Sequence, residues 1–247
     1  MSRTAIIGDV HGCIDELIVL MDRLNLREND RLVFIGDLID KGPDSAAVVR
    51  LASTLSQQLD VTLIVGNHED KFLRFYEHLG NDDAAISTMK GVENYESLAS
   101  DLSELDVEFL RSGFLLRFVN DSELTLVHGG ICANIGLAGS ESISYERRSK
   151  KDNHHLLTMT RNVTGKGMFL GLDVETPDMR YWADAYLGEH GKVVFGHQPF
   201  NEVKIFPHAV GIDTGCVFGN KLTAMVLEDG ESHFEQVKAK RAYAENW

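Results

Sequence analysis

Five short apolar segments each end beside glycines and metal-capable side chains, and this pattern constrains the fold most strongly. The first three clusters read Gly8-Asp9-Val10-His11-Gly12, Gly36-Asp37-Leu38-Ile39-Asp40 and Gly66-Asn67-His68-Glu69. The two later clusters read His128-Gly129-Gly130 and Gly196-His197. Because the carboxyl ends of strands in a parallel sheet share one edge, where ligands bind, the five clusters are expected to meet there.

The residues between the first clusters predict an alternation of strands and helices. The segments Thr4 to Gly8, Leu32 to Ile35 and Val61 to Val65 are strand-like apolar runs. The stretches between them carry apolar residues at helical spacing, and Asp44 is a suitable N-cap for the second helix. This rhythm predicts a mostly parallel sheet with crossover helices.

The rest of the chain is less regular. Residues 92–110 are expected to be helical, and strands at 115–119 and 124–127 are expected to form a hairpin that turns at 120–123. Residues 141–192 predict loops with short helices, and strands are expected again from Val193 to Leu227. The polar tail beyond Gly230 is expected to fray. No shift in composition marks a boundary, so a single domain over residues 1–247 is predicted.

The charge balance excludes some classes of partner. The chain has 24 Lys and Arg against 38 Asp and Glu, a net charge of -14, which argues against binding to nucleic acid or an anionic membrane. No apolar run reaches the roughly 18–20 residues that span a bilayer, and the start of the chain has no secretory pattern. The three cysteines Cys13, Cys132 and Cys216 are sparse. These features predict a cytoplasmic protein.

The polar side chains of the clusters form a mixed set of candidate metal ligands. They are Asp9, His11, Asp37, Asn67, His128 and His197. Carboxylate, imidazole and amide donors suit manganese, iron or zinc. The set is too large for one tetrahedral zinc site and includes no pair of thiolates, so two divalent ions are expected. Two ions about 3.5–4 Å apart and bridged by a carboxylate suit the hydrolysis of a phosphate ester.

The order of the clusters also carries a family resemblance. GDVHG, GDLIDKG, GNHE, HGG and GH resemble the five signature blocks of the calcineurin-like metallophosphoesterases, and most of all those of the phosphoprotein phosphatases, including short bacterial and phage members. The later stretches VVFGHQPF and GIDTGCVFGNKLTAMVLEDG are similar too, so the resemblance covers most of the chain. It implies an α/β fold with a two-sheet β-sandwich core flanked by helices.

The resemblance implies a role for each motif residue. Asp9 and His11 match ligands of the first metal, and Asp37 matches the bridging carboxylate. Asn67, His128 and His197 match ligands of the second metal, and Asn67 could also contact the substrate phosphate. His68 matches the general acid, with Asp40 as the carboxylate that orients it. The implied reaction is attack of a metal-bridging hydroxide on a phosphate monoester, with manganese as the first choice of metal.

One position departs from the family pattern. Lys41 stands where the family has an arginine, and a lysine cannot make a planar bidentate contact with phosphate. We expect Lys41 still to attract phosphate. A second phosphate-binding arginine is usual after the HGG block. Arg161 is the candidate by position, and Arg180 competes because it precedes Tyr181 and Trp182, as in some relatives.

The motifs leave the substrate open between alternatives. The GNHE and HGG blocks favour a Ser/Thr protein phosphatase that acts on a phosphorylated protein or peptide. The main alternative is a bis(5'-nucleosyl)-tetraphosphatase that hydrolyses diadenosine tetraphosphate, since the RYWADAY and IDTGCVFGNKLTA segments look like members of that kind. Lys41 alone favours a third alternative, a regulatory metal-binding module with weak catalysis. The sequence does not determine the oligomeric state.

Overall fold

The first three apolar segments form parallel strands in a computed structural model that describes residues 3–119, 124–137 and 142–245, except for the side chain of Asp83. They are β1 (Thr4–Ile7), β2 (Arg31–Phe34) and β3 (Asp60–Leu63). Ile7 pairs with Phe34, and Phe34 pairs with Leu63, so the strands end at the same level. The clusters that follow them therefore leave the sheet side by side, as the sequence predicts.

Amphipathic helices connect and follow these strands. They are α1 (Ile14–Leu24), α2 (Ser45–Ser56) and α3 (Asn67–His78). Leu17, Leu20 and Leu24 lie on the buried face of α1. The Asp44 carboxylate accepts a hydrogen bond from Ala47 N at 2.8 Å, which confirms the predicted cap of α2.

The first sheet is completed by a C-terminal hairpin that the sequence analysis did not predict. The sheet order is β14-β13-β1-β2-β3, with β13 (Lys221–Glu228) antiparallel to both β1 and β14 (Glu231–Lys238). The expected fraying beyond Gly230 is therefore wrong. Asp229 and Gly230 have φ values of 53° and 83°, and an Asp-Gly pair with two positive φ angles makes the tight turn of a β-hairpin.

The second sheet has six strands in the order β11-β12-β10-β5-β4-β6. They are β4 (Phe114–Val119), β5 (Leu124–Val127), β6 (Ile143–Ser144), β10 (Lys192–Phe195), β11 (Lys204–Ile205) and β12 (Ala209–Gly211). β4 and β5 are antiparallel, as the predicted hairpin requires, although its turn at 120–123 lies outside the described residues. β5 and β10 are parallel, so His128 and His197 follow neighbouring strand ends.

The two sheets pack face to face. Ile6, Val33 and Met225 of the first sheet share one buried cluster with Leu126, Val194 and Val210 of the second. Alternate residues of β1 and β2, such as Ile7 and Phe34, belong instead to the cluster that includes the helices. Since successive strand residues point to opposite faces, this alternation builds the α/β two-sheet sandwich flanked by helices that the resemblance implies.

The remaining elements surround this core. The helices are α4 (Asp83–Ser87), α5 (Tyr95–Asp101), α6 (Glu104–Arg111) and α7 (Trp182–Ala185), with 3₁₀ helices at Tyr145–Arg147 and His154–Thr158. A small sheet in the order β8-β7-β9 joins β7 (Asn162–Val163), β8 (Phe169–Leu170) and β9 (Arg180–Tyr181). Two-residue strands show no alternation in sequence, so the loop prediction missed this sheet. In the described ranges, no helix has both the length and the apolar character to cross a membrane.

Candidate metal centre

Asp37 lies at the centre of a group of side chains where the carboxyl ends of the strands meet. Its Oδ2 lies 3.5 Å from His11 Nε2 and 3.8 Å from His68 Nε2. Its Oδ1 lies 3.3 Å from His128 Nε2. Two sets of candidate ligands result, His11–Asp37–His68 and Asp37–His128–His197, with the ligand atoms of each set within 4.8 Å of one another. One carboxylate is therefore common to two potential cation sites.

Asp9 and Asn67 complete what we call the Asp37 cluster, which consists of Asp9, His11, Asp37, Asn67, His68, His128 and His197. Asp9 is buried, and its Oδ2 accepts a hydrogen bond from His197 N at 3.0 Å. Asn67 Oδ1 lies 3.2 Å from His128 Nε2. The structure thus gathers all six predicted metal ligands at one place, although they come from five separate segments.

The backbone of this region is held in an uncommon conformation. His11, Asp37, Asp40, Lys41 and His197 have φ values of 46°, 50°, 69°, 67° and 65°. Residues other than glycine rarely occupy this left-handed region, and each such position costs about 1–3 kcal/mol. Because such strain concentrates at sites where side chains must be aimed at a ligand, the backbone itself marks this edge as functional.

Two glycines allow the backbone to approach the buried carboxylates. A Cβ atom on Gly66 would lie 2.2 Å from Asp37 Oδ1, and one on Gly196 would lie 2.1 Å from Asp9 Oδ1. Both distances are far shorter than any van der Waals contact. Any larger residue at position 66 or 196 would therefore collide with one of these two carboxylates.

Backbone carbonyls orient two of the histidine rings. His11 Nδ1 lies 2.8 Å from Ile39 O, and His128 Nδ1 lies 2.8 Å from Ile35 O. A carbonyl oxygen can only accept a hydrogen bond, so Nδ1 is the donor in both rings. In the neutral imidazole, Nε2 then carries the lone pair on the side of the ring nearest Asp37, where a cation between the two groups could accept it, as in metal-ligating histidines.

Burial and the neighbouring charges shift the pKa values of the carboxylates. Burial, reinforced by the charge of Asp213, raises the pKa of Asp9 well above its usual value. Burial would also raise the pKa of Asp37, but the opposing charges of His128 and His68 outweigh it and hold that pKa well below the usual range. Asp37 therefore stays ionised at neutral pH.

The histidines divide into two kinds. Burial lowers the pKa of His11 to about 3, and burial together with His128 and Arg161 lowers the pKa of His197 far below its usual value. His128 is also buried, yet the charges of Asp37 and Asp9 raise its pKa to about 10. In the absence of a cation, a proton on His128 therefore balances the buried carboxylates.

This donor set fits a pair of divalent cations. Neutral imidazoles, buried carboxylates and an amide oxygen are ligands of borderline and hard ions, and a shared carboxylate suits a two-ion site. Two anions buried together also need compensating positive charge. Asp37 belongs to both candidate sets, so it offers the shared carboxylate. Two bound cations would supply the positive charge.

Two positively charged side chains face the cluster. Lys41 Nζ lies 3.0 Å from His11 Nε2, and Arg161 Nε lies 3.0 Å from His197 Nε2. Arg180 is exposed and contributes to a separate cleft instead. Of the two arginines that the sequence put forward, Arg161 is the one that contacts the cluster.

The predicted acid–orienter pair is present. His68 Nδ1 lies 2.5 Å from Asp40 Oδ2, and the Tyr95 hydroxyl donates to the same oxygen at 2.7 Å. Burial would raise the pKa of Asp40, but the hydrogen bond and charge of His68, the hydrogen bond from Tyr95 and the charge of Lys71 together outweigh it and keep that pKa below its usual value. Tyr95 was not predicted because it comes from a separate helix with no motif around it.

A further buried carboxylate, Glu69, supports the loop that carries Asp37. Its Oε2 accepts from Asp37 N at 2.8 Å and from Gly66 N at 2.9 Å, and its Oε1 accepts from Leu38 N at 2.8 Å. Burial, together with the charge of Asp37, raises the pKa of Glu69 to about 7. The GNHE motif contained this residue, but its role became visible only from these contacts.

A cleft of about 490 Å³ lies next to the HGG loop. Its lining includes Ile131, Cys132, Lys166, Arg180, Trp182 and Tyr186. Trp182 connects the cleft to the cluster, since its backbone N–H donates to Arg161 O at 2.9 Å. The cleft thus combines apolar walls with two positively charged side chains.

Comparison with known protein families identifies the family of this chain. The sequence pattern of the family described as calcineurin-like phosphoesterase matches residues 2–233. The chain belongs to this family. Members of the family generally use two divalent metal ions, and the chain is a metal-dependent phosphoester hydrolase.

Several named proteins are similar to this chain along most of its length. The chain is 31% identical to a protein from Bacillus velezensis named bis(5'-nucleosyl)-tetraphosphatase PrpE, asymmetrical, over 92% of this chain and 90% of that protein. It is 32% identical to the protein of the same name from Bacillus subtilis, over 92% and 91%. A solved structure assigned as a diadenosine tetraphosphatase superposes with a TM-score of 0.71 at 24% identity, over 96% of this chain and 93% of that one.

The expectation of a Ser/Thr protein phosphatase acting on phosphorylated proteins is therefore wrong. A protein serine/threonine phosphatase from Saccharomyces cerevisiae shares the fold, with a TM-score of 0.63, but only 14% identity over 96% of this chain and 80% of that one. The physical reason is that all five motif blocks meet at the Asp37 cluster. Resemblance in these blocks concerns that cluster and carries no information about the surface around it.

Proposed function

We propose that this phosphoesterase is an asymmetrical bis(5'-nucleosyl)-tetraphosphatase, formed as one catalytic domain over residues 1–247. The observation that carries the proposal is the identity of 31–32% to tetraphosphatases over about nine-tenths of each chain. The substrate would be a dinucleoside tetraphosphate such as diadenosine tetraphosphate. Asymmetrical hydrolysis adds water across one anhydride bond and releases a nucleoside triphosphate and a nucleoside monophosphate.

The Asp37 cluster would hold two divalent cations. Asp9 and His11 would bind the first, and Asn67, His128 and His197 would bind the second, with Asp37 between them. Manganese is our first choice because the donors are mainly carboxylate, imidazole and amide. When bound, the two ions would neutralise phosphoryl oxygens and lower the pKa of water.

His68 would supply the proton that the leaving phosphate oxygen takes up. Its contact with Asp40 fixes the ring so that Nδ1 faces the carboxylate and Nε2 faces the cluster. Tyr95 would hold Asp40 in this position by its own hydrogen bond. Positioning of this kind keeps the acid within reach of the reacting group.

Lys41 and Arg161 would bind the phosphate chain from opposite sides of the cluster. The planar guanidinium of Arg161 can make two parallel hydrogen bonds to phosphate, whereas Lys41 acts as a single point charge. The cleft beside the HGG loop would accept a nucleoside, with Lys166 and Arg180 near its phosphates. Its volume of about 490 Å³ is within the range of small-ligand sites.

A product assay tests this function. Purified protein with Mn²⁺ is given diadenosine tetraphosphate or a phosphoserine peptide in parallel reactions. We expect ATP and AMP in equal amounts from the dinucleotide, little phosphate from the peptide, and loss of activity with a chelator. Release of two ADP molecules, or turnover of the peptide alone, would contradict the proposal.

A further inference from the structure

A second cluster of metal-capable side chains adjoins the loop that carries His11, since the Cys13 thiol donates to His11 O at 3.8 Å. It consists of Cys13 at the start of α1, Glu16 in the first turn of α1, and Cys216 in the loop that follows β12. We call it the Cys13 cluster. The two sulfur atoms and a carboxylate oxygen all lie within 4.8 Å of one another. All three residues are buried, with exposed fractions of 0%, 1% and 1%.

The two carboxylate oxygens of Glu16 have different surroundings. Oε1 accepts hydrogen bonds from Lys240 N and from the Tyr243 hydroxyl, both at 2.8 Å. Oε2 is buried and accepts no hydrogen bond from any residue in the described ranges. A buried carboxylate oxygen without a partner destabilises the fold. A ligand beside the two cysteines would remove this cost.

The Cys13 cluster is separate from the Asp37 cluster in its chemistry. The Asp37 cluster offers only oxygen and nitrogen donors, whereas Cys13 and Cys216 offer sulfur. Thiolates select soft or borderline ions such as zinc, and two thiolates with one carboxylate leave a fourth tetrahedral position for water. Zn–S distances of about 2.3 Å require sulfur atoms roughly 3.8 Å apart, and the two sulfur atoms here lie within 4.8 Å of each other.

We propose that Cys13, Glu16 and Cys216 bind a third divalent cation of the zinc class, apart from the pair at Asp37. Binding releases the protons of the two thiols to solvent, and Glu16 Oε2 becomes a ligand. No oxidation takes place. The third cysteine, Cys132, lies outside this set, in contact with Thr160.

The proposed ion would connect three distant parts of the chain. Cys13 lies two residues after His11, and Cys216 lies three residues after Asp213. Glu16 Oε1 holds the C-terminal tail through Lys240 and Tyr243. The ion would therefore hold the loop that carries His11 in place without contacting substrate.

Cobalt substitution provides a test with a readout other than activity. Co²⁺ is added to the protein in a non-thiol reductant, and in a second preparation it is supplied during expression so that it is present as the chain folds. Thiolate–cobalt contacts produce a near-ultraviolet charge-transfer band, which the oxygen and nitrogen donors at Asp37 cannot produce. Bound cobalt per chain is measured at the same time.

We expect this band in the wild-type protein, with one equivalent of cobalt more than in Cys13→Ser or Cys216→Ser, both of which lose the band. Glu16→Gln keeps the acceptor for Lys240 but loses the anionic ligand, so it binds cobalt more weakly. Cys132→Ser is the matched control and keeps both the band and the stoichiometry. Circular dichroism in metal-free buffer establishes that each variant is folded.

Absence of the band from the wild-type protein in both preparations would overturn the proposal. Its persistence in the Cys13→Ser/Cys216→Ser double variant would do the same, as would its loss in Cys132→Ser. Because the readout does not depend on turnover, these outcomes are independent of the substrate assigned above.

Discussion

A single added methyl group at Gly66 tests whether the position of Asp37 controls activity. The φ of Gly66 is -84°, which alanine adopts without strain, so the effect of Gly66→Ala is purely steric. The new Cβ would lie 2.2 Å from Asp37 Oδ1 and 2.5 Å from Asp37 N. Both the side chain and the backbone of Asp37 must therefore move.

The size of this displacement follows from the distances. Ordinary van der Waals contact begins near 3.4 Å, so the Asp37 oxygen must retreat by about 1.2 Å from its 2.2 Å position. A misplacement of about 1 Å costs roughly 10²-fold in rate, and overpacking of a buried site costs about 1–3 kcal/mol in stability. We expect losses of this size in kcat/KM and in the free energy of unfolding.

The assay compares Gly66→Ala with Gly171→Ala, whose added Cβ has Val174 Cγ2 at 3.8 Å as its nearest neighbour. Turnover of diadenosine tetraphosphate with Mn²⁺ gives kcat/KM, and urea unfolding gives stability. The control is expected within about 0.5 kcal/mol of the wild-type protein, as for other surface changes. Wild-type activity and stability in Gly66→Ala would show that the position of Asp37 does not control activity.

Three further predictions concern other residues. His68→Asn should slow hydrolysis of an alkyl phosphate by about 10²–10⁴-fold. Hydrolysis of diadenosine tetraphosphate should slow less, because its leaving phosphate has a pKa of roughly 6 and needs less help from an acid. Equal losses on both substrates would contradict the general-acid role. Lys41→Met should lower kcat/KM by about 10–100-fold, since a charge-assisted hydrogen bond is lost, whereas Lys41→Arg should preserve or raise it; a collapse in Lys41→Arg would show that the site requires lysine. Asp30 is buried and accepts hydrogen bonds from Arg3 and Arg27, which outweigh burial and lower its pKa to about 2. Asp30→Asn should therefore cost about 1–2 kcal/mol in urea unfolding at pH 7, and the difference should vanish as the pH falls from about 4 toward 2, because the stabilising ionised form is then lost; a difference that is independent of pH would contradict this.

The sequence predicted that the side chains of the Asp37 cluster would come together because strand ends are a local signal. Asp9, Asp37 and Asn67 each follow directly after an apolar run and a glycine. Because the three parallel strands end side by side, the residues that follow them come together. His128 and His197 were predictable for the same reason in the second sheet. A short motif after each strand is therefore sufficient to locate the site.

Supporting residues outside the motifs could not be found in this way. Tyr95 reaches Asp40 from a helix 55 residues further along the chain, and only the folded structure shows this contact. The C-terminal hairpin was missed for a different reason. Its strand is rich in polar residues, so composition concealed the Asp229-Gly230 turn that pairs it with β13.

The motifs alone could not identify the substrate. Asp37, His68 and their neighbours would act on a phosphoryl group in the same way whatever that group is attached to. In the proposed function, the cleft between residues 131 and 190 would distinguish a nucleoside from a peptide, and its short strands and loops leave no periodic pattern in the sequence. Similarity over the whole chain carried information that the blocks did not.

Anomalous diffraction from crystals grown with Mn²⁺ tests directly whether two ions bind around Asp37. Data collected on either side of the manganese absorption edge locate each ion without reference to activity. Our account predicts two manganese peaks on opposite sides of the Asp37 carboxylate, one beside His11 and one beside His128 and His197. A single peak, or peaks away from Asp37, would contradict it.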